Sequence, residues 1–301
     1  MIALIDLYRK ELFKVNGFSS STVDTYLINV KAFCGFITDK LNVSLKQVNG
    51  PILMKWMQLL KHTGIGSSRL ESHHYALKSF FGFLQRTGLI RKNPAEVLPL
   101  MIKRKRNRTK SISTLDAVTL LDSFDQTTWH GLRNYTMLSL LWALGLRTAE
   151  LTGLTVGNFE PNHGKRIGLL RIRGKNKKQR ALFVVDRLFD TLMHYLAHPL
   201  SPKKKTTALF PGKPGKPISK NRVQKLVKDQ ANTVGIADVT PRVLRHSFAT
   251  EMYHQNIPLS AIQAMMGHES IAETSIYIHV SDKLKQLALD AIFISRRLSW
   301  E

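Results

Sequence analysis

A single cysteine, Cys34, stands in a chain of 301 residues, and one thiol can form neither an intramolecular disulfide nor a cysteine-based zinc cluster. A reducing, cytoplasmic setting is therefore expected. Long apolar runs are also missing. The longest, "YTMLSLLWALGL" from Tyr135 to Leu146, is too short to span a bilayer and predicts a buried core helix. The opening "MIALIDLYRKELF" carries Asp6, Arg9, Lys10 and Glu11 among its apolar residues, which gives an amphipathic helix without the layout of a signal peptide. No Walker phosphate loop and no zincin spacing occurs, so no cofactor and no metal is expected. Acidic residues are scarce: 21 Asp and Glu face 45 Lys and Arg, a net charge of +24. Such an excess destabilises the compact state by self-repulsion and attracts polyanions, with nucleic acid ahead of an anionic membrane or a ribosome-like environment.

What is present is enough apolar material, 43% of residues, to bury a sizeable core, and a length that suggests two domains. The first hundred residues read as helices. In "STVDTYLINVKAFCGFI", Val23, Leu27, Val30, Cys34 and Ile37 share one face, and Ser20 or Ser21 can cap the start. "PILMKWMQLL" sets Ile52, Trp56 and Leu59 on one side. "RLESHHYALKSFFGFLQRTG" does the same with Leu70, Leu77, Phe81 and Leu84, and Gly88 ends it. With the opening helix these make a four-helix bundle over 1–100. "KRKRNRTKSIS" then has Lys103, Arg104, Lys105, Arg106, Arg108 and Lys110 and almost nothing to bury. Such runs are often solvated linkers, but in so basic a chain a positive hinge over 101–113 suits a clamp that closes on a duplex and tracks its phosphates.

The region 114–301 mixes helix and strand. Helices are expected around Thr114–Phe124 and Gly131–Leu144, and strands at Leu169–Arg173 and Arg180–Val185, joined by a hairpin loop "GKNKKQ". "PGKPGKP" at 211–217 reads as a surface loop. The pattern is helical again from Lys220 to the end, where Leu284, Leu287, Leu289, Ile292 and Ile294 mark an apolar helix.

Three polar clusters stand out. In "GLRTAEL", Arg147 and Glu150 sit at the end of the most apolar helix; a plain surface ion pair is one reading, an arginine aimed by its carboxylate is the other. Lys175 lies at the hairpin tip, where lysines are ordinarily solvated. In "VTPRVLRHSFAT", Thr240 can cap a helix with Pro241 in its first turn. Arg242 and Arg245 then fall near the positive end of the helix dipole, an unfavourable place unless an anion binds there. "GHESIAETSIYIH" follows, with His268 nine residues before Tyr277.

Taken together, these residues resemble the fingerprint of the tyrosine recombinase, or phage integrase, family. That fingerprint has an arginine in a "GLRxxEL" box, a hairpin lysine, a His-x-x-Arg box followed by "HSFAT"-like residues, then "GH" and a tyrosine about nine residues on. Arg147 with Glu150, Lys175, Arg245, His268 and Tyr277 fall in that order and at those separations, and the resemblance covers nearly the whole chain. It implies a mainly α fold with a small antiparallel β-sheet in the C-terminal domain: a SAM-like helical core-binding bundle, then a catalytic domain ending in a helix exchanged between protomers. The chain is expected to begin directly in the core-binding bundle, as in compact Xer-like or mobile-element resolvases.

The resemblance also implies roles. Tyr277 would be the nucleophile, Arg147, Arg245 and His268 would hold the scissile phosphate, Lys175 would protonate the leaving 5′-oxygen, and Glu150 would orient Arg147. The implied partners are a double-stranded DNA recombination site, three further copies of this chain in a tetramer on two paired sites, and accessory proteins. One position departs from the pattern: Arg242 stands where the family usually has a histidine that helps with proton transfer, and an arginine can only donate hydrogen bonds and charge. His246 is the nearest alternative base. Two rivals remain: a DNA-binding member of the fold without catalysis, and a metal-dependent nuclease using His246, His254, His268 and His279, for which carboxylate clusters are lacking. A clamp along a duplex predicts a steep salt dependence. Each neutralised phosphate contributes about −0.9 to the slope of log affinity against log salt; a titration with a slope near zero contradicts the clamp.

Overall fold

The chain divides into two compact units, Met1–Asn107 and Arg108–Glu301. The computed structural model describes residues 2–99, 110–174, 179–213 and 216–267. Lys103, Arg104, Lys105, Arg106, Arg108, Lys175, His268 and Tyr277 lie outside the described residues, as does the apolar stretch from Leu284 to Ile294.

In the first unit four α-helices follow from amphipathic periodicity: α1 (Ile2–Lys14), α2 (Ser20–Gly35), α3 (Gly50–His62) and α4 (Ser67–Arg86). Capping fixes their ends. The cap of α2 is Ser19, one residue before the expected pair, and its hydroxyl accepts the Thr22 N–H. Asn49 caps α3 through the Ile52 N–H, with Pro51 in the first turn, where its missing N–H costs nothing. Five π-helical residues, Phe36–Lys40, prolong α2.

The core gathers Tyr8, Leu12, Phe33, Ile37, Leu77, Phe80 and Phe81, with Phe33 and Phe81 edge to face at 5.9 Å between ring centres. The expected inward faces of α2 and α4 are buried. In α3 the face is turned: Leu53, Trp56 and Met57 point inward, and Leu59 stays 43% exposed. Trp56 is large enough to centre the buried stripe on itself, packing against Phe36 at 5.0 Å and Phe33 at 6.0 Å, and this brings Met57 in place of Leu59.

The second unit is built around α6 (Trp129–Leu144), whose Met137, Leu138, Leu140 and Leu141 are fully buried. Around it lie α5 (Thr114–Asp122), α7 (Thr148–Thr152), α8 (Asp186–Ala197), α9 (Lys220–Thr233), α10 (Pro241–His254) and α11 (Leu259–Met266). Strands β1 (Phe159–Asn162), β2 (Ile167–Arg173) and β3 (Gln179–Val185) form an antiparallel sheet in that order, with β2 and β3 in register from Ile167↔Val185 to Arg173↔Gln179. The architecture is thus mainly α with a small antiparallel sheet.

The 211–217 stretch is not a plain loop. It forms a two-stranded antiparallel pair, β4 (Pro211–Lys213) and β5 (Lys216–Pro217), because buried Phe210 and Ile218 flank it and close it with a 2.9 Å bond from the Ile218 N–H to the Phe210 carbonyl. The last residues of the basic stretch are fastened to this unit. Lys110 pairs with Asp238, and the Ile112 N–H donates to Ser247 Oγ at 2.8 Å.

Gly145 ends α6 in the left-handed region, at φ +59, with Phe248 of α10 packed against it. A β-carbon there would lie 2.4 Å from Phe248 Cδ1, whereas one at Gly235, also left-handed at φ +72, would meet nothing within 4 Å. Gly235→Ala is therefore expected to cost only the backbone penalty, about 1–2 kcal/mol. Gly145→Ala should cost clearly more, since it must also displace a buried ring. Urea unfolding of the two variants checks the order.

Candidate active site

The short helix α7 brings its own acid back to its start: Arg147 is the residue before the helix, and its backbone N–H donates to Glu150 Oε2 at 2.7 Å. Glu150 is thereby fixed in a buried position, its side chain 3% exposed. A bare carboxylate so deeply buried would be strongly unfavourable. Three guanidinium groups answer it. Arg180 on β3 makes a fork, Nη1 to Oε1 at 2.7 Å and Nη2 to Oε2 at 2.9 Å. Arg147 Nη1 donates to Oε1 at 3.1 Å, and Arg245 Nη1 on α10 stands 3.9 Å from Oε2. Burial alone would raise the Glu150 pKa; the Arg180 bonds and charge, the Arg147 N–H and the Arg245 charge outweigh it and hold the carboxyl below its ordinary value.

The same arginines serve a second purpose. The last carbonyls of a helix have no partner within it, and the end carries partial negative charge. At the end of α11 the Met265 carbonyl accepts from Arg180 Nε at 2.7 Å, and the Met266 carbonyl from Arg245 Nη2 at 2.7 Å and Arg147 Nη1 at 3.3 Å. The Gly267 carbonyl accepts from Arg147 Nη2 at 2.9 Å. Gly267 turns the chain at φ +60, and a β-carbon there would come within 2.7 Å of Arg180 Nη1. Arg245 Nη1 also reaches the Gly145 carbonyl at 2.5 Å, tying α6 into the cluster.

Among the described residues, one carboxylate is shared by three arginines, a local excess of positive charge. Arg147 is the most open of the three, its side chain 34% exposed against 14% for Arg180 and 10% for Arg245. A second anion reaching Arg147 would meet guanidinium donors already oriented, the arrangement that suits a phosphate diester.

The structure brings together Arg147, Glu150 and Arg245 from two distant points of the sequence, and adds Arg180, which the sequence reading passed over. Its signal was there: strand alternation places Arg180 on the same side of β3 as buried Leu182 and Val184, and a charge on an inward face calls for a partner. Arg242 lies in the first turn of α10 and is exposed, with the helix cap made by Thr240 to the Val243 N–H as the sequence suggests. Lys110 holds Asp238 at the surface. Lys175 follows Gly174 at the end of β2, and His268 follows Gly267 directly in sequence.

His246 is buried one turn beyond Arg242, and burial, Arg242 and Arg245 push its pKa down to about 4. It is neutral at pH 7 and a weak proton acceptor. The unfolded chain would bind a proton there near pH 6.5, so folding stability is complete above that pH and declines as pH falls from about 6.5 to 4. Glu150 adds a second decline: its depressed pKa gives stability that is present above the ordinary carboxyl range and is lost as pH falls through and below it. His246→Gln is expected to flatten the upper limb and Glu150→Gln the lower one in denaturant titrations repeated from pH 7.5 to 3.5.

Among the described residues no three His, Cys, Asp or Glu side chains gather as a metal site, and no helix is long and apolar enough to cross a membrane. The Phage integrase family model matches residues 110–283, and the Phage integrase, N-terminal SAM-like domain model matches residues 5–88. Tyrosine recombinase XerC of Herpetosiphon aurantiacus is 33% identical over 88% of this chain and 87% of its own length. Tyrosine recombinase XerD of Staphylococcus epidermidis is 29% identical over 93% and 95%. In fold, the chain resembles XerH site-specific recombinase bound to difH substrate in a pre-cleavage complex, with a TM-score of 0.71 and 21% identity over 96% of this chain and 84% of that one. A lambda integrase dimer bound to a COC' core site gives 0.71 and 16% over 95% and 80%. With its arginine boxes assembled around one carboxylate and both units matched, the chain belongs to the phage integrase family of tyrosine recombinases.

Proposed function

We propose that this protein is a site-specific recombinase that cleaves and rejoins duplex DNA through a covalent bond between Tyr277 and a 3′-phosphate. The observation that carries this is the cluster of Arg147, Arg180 and Arg245 around buried Glu150, with its surplus of oriented positive charge. In the forward step the Tyr277 oxygen attacks phosphorus and the bond to the 5′-oxygen breaks. Arg147 and Arg245 neutralise the non-bridging oxygens as charge builds in the transition state, and His268 adds a hydrogen bond. Lys175 gives its proton to the departing 5′-oxygen. The free 5′-hydroxyl of a partner strand then attacks the phosphotyrosyl bond and releases the enzyme. One phosphodiester is exchanged for another, so neither ATP nor a metal is needed to supply energy.

Arg242 fits this scheme as a donor of charge beside the nucleophile. An unperturbed phenol has a pKa of about 10, and cationic neighbours lower it by favouring the phenolate. A histidine base is not replaced by His246, whose pKa of about 4 makes it a poor acceptor for that proton. Water then accepts it. The relatives named XerC and XerD, and the recombinases seen on DNA sites, support recombination at a defined site; the course proposed for it is two rounds of strand exchange through a Holliday junction. The basic residues Lys103, Arg104, Lys105, Arg106, Arg108 and Lys110 are assigned to phosphate contacts between the core-binding domain and the catalytic domain. Four copies on two paired sites complete the reaction, with the apolar C-terminal segment passing between neighbours; resolution or integration of a mobile element, plasmid or chromosome dimer is the outcome.

The test is a nicked duplex carrying the native site, in EDTA. Wild type is expected to form a covalent adduct that Tyr277→Phe abolishes. Arg242→His is expected to retain it, and its rate tells whether the arginine helps or hinders. A protein that binds the site without forming an adduct contradicts the catalytic reading and favours a DNA-binding role. Removal of residues 285–301 should spare binding to a single site and abolish recombination; unchanged recombination contradicts the exchange between protomers.

A further inference from the structure

Arg180 makes three hydrogen bonds within the cluster, yet it lies on a strand rather than in either arginine box. Its Nη1 and Nη2 grip both oxygens of Glu150, and its Nε reaches the Met265 carbonyl. It therefore joins three separate pieces of chain. One is β3, which begins four residues after Lys175 in the sequence. Another is α7, which presents Arg147. The last is the end of α11, from which the chain proceeds to His268. Gly267 lies so close over Arg180 Nη1 that no β-carbon fits without a shift. The side chain is 14% exposed, so it has little access to a bound duplex.

We propose that Arg180 is a positioning residue for strand cleavage: through Glu150 and the Met265 carbonyl it sets β3, the start of α7 with Arg147, and the end of α11 in mutual register. This rests on the recombinase reading above. The planar fork is what the role requires. A lysine carries the charge, but it cannot hold two carboxylate oxygens and a carbonyl at fixed angles. Duplex affinity comes from many phosphate contacts spread over the protein. The rate of the chemical step depends on placing a few groups to within about 1 Å. Loss of Arg180 should therefore separate the two.

The experiment uses the full chain and the nicked duplex, and measures binding by titration and adduct formation in a single turnover. Arg180→Met is expected to bind within about threefold of wild type and to form adduct at least about 100-fold more slowly, the scale of a misplacement by an ångström. Arg180→Lys should bind normally and fall about tenfold, and it decides the question alone if Arg180→Met does not fold. Because Arg180 acts through Glu150, adding Glu150→Gln to Arg180→Met should slow the reaction no further than the slower single variant. Adduct formation within threefold of wild type overturns the proposal. So does a loss of affinity as large as the loss of rate, which marks a purely structural role, and so does full additivity with Glu150→Gln. If wild type itself binds but forms no adduct, the recombinase reading fails and this inference fails with it.

Discussion

The second unit depends on one buried carboxylate. Glu150 is removed from water and would be intolerable alone; what makes its charge acceptable is that Arg180, Arg147 and Arg245 come from β3, the start of α7 and α10 to meet it. Buried ion pairs rarely add much net stability, because desolvation offsets most of their attraction. Their effect is to fix geometry, since deleting any partner leaves an uncompensated charge. Among the described residues guanidinium exceeds carboxylate, so the cluster satisfies its buried acid and keeps a net positive charge.

The helix α11 completes the arrangement from the other side. Its terminal carbonyls need donors, and the three arginines supply them. Guanidinium groups held by carbonyls, each with several donors, are oriented before an anion arrives, which reduces the reorganisation left for the transition state. The core beneath is rigid for an independent reason. The apolar α6 is buried on nearly every side, and the left-handed Gly145 at its end allows Phe248 to bring α10, and with it Arg245, against the α6 terminus.

Much of this was legible in the sequence, for identifiable reasons. The first-unit helices announce themselves because a buried stripe at helical spacing is a strong local signal, and the β2–β3 hairpin because a polar turn separates two β-rich runs. The face of α3 was misjudged because several apolar residues compete for the core there and only packing around Trp56 chooses among them. Strand β1 escaped notice because it is four residues long with Pro161 inside it, and is held by pairing with β2 rather than by its own propensity. Arg147, Glu150 and Arg245 could be named from their spacing. Arg180 could not be linked to Glu150 in the same way, because 30 residues and a sheet lie between them. Lys175, His268 and Tyr277 rest on the sequence pattern.

The claim that this arginine cluster is the scissile-phosphate site is tested most directly by a structure of the Tyr277→Phe protein on its duplex. The account predicts one phosphate within hydrogen-bond distance, about 2.7–3.2 Å, of guanidinium nitrogens of both Arg147 and Arg245, with Arg180 still gripping Glu150. A bound duplex whose phosphates all lie away from that cluster, with Arg147 and Arg245 engaged only by protein groups, would contradict it.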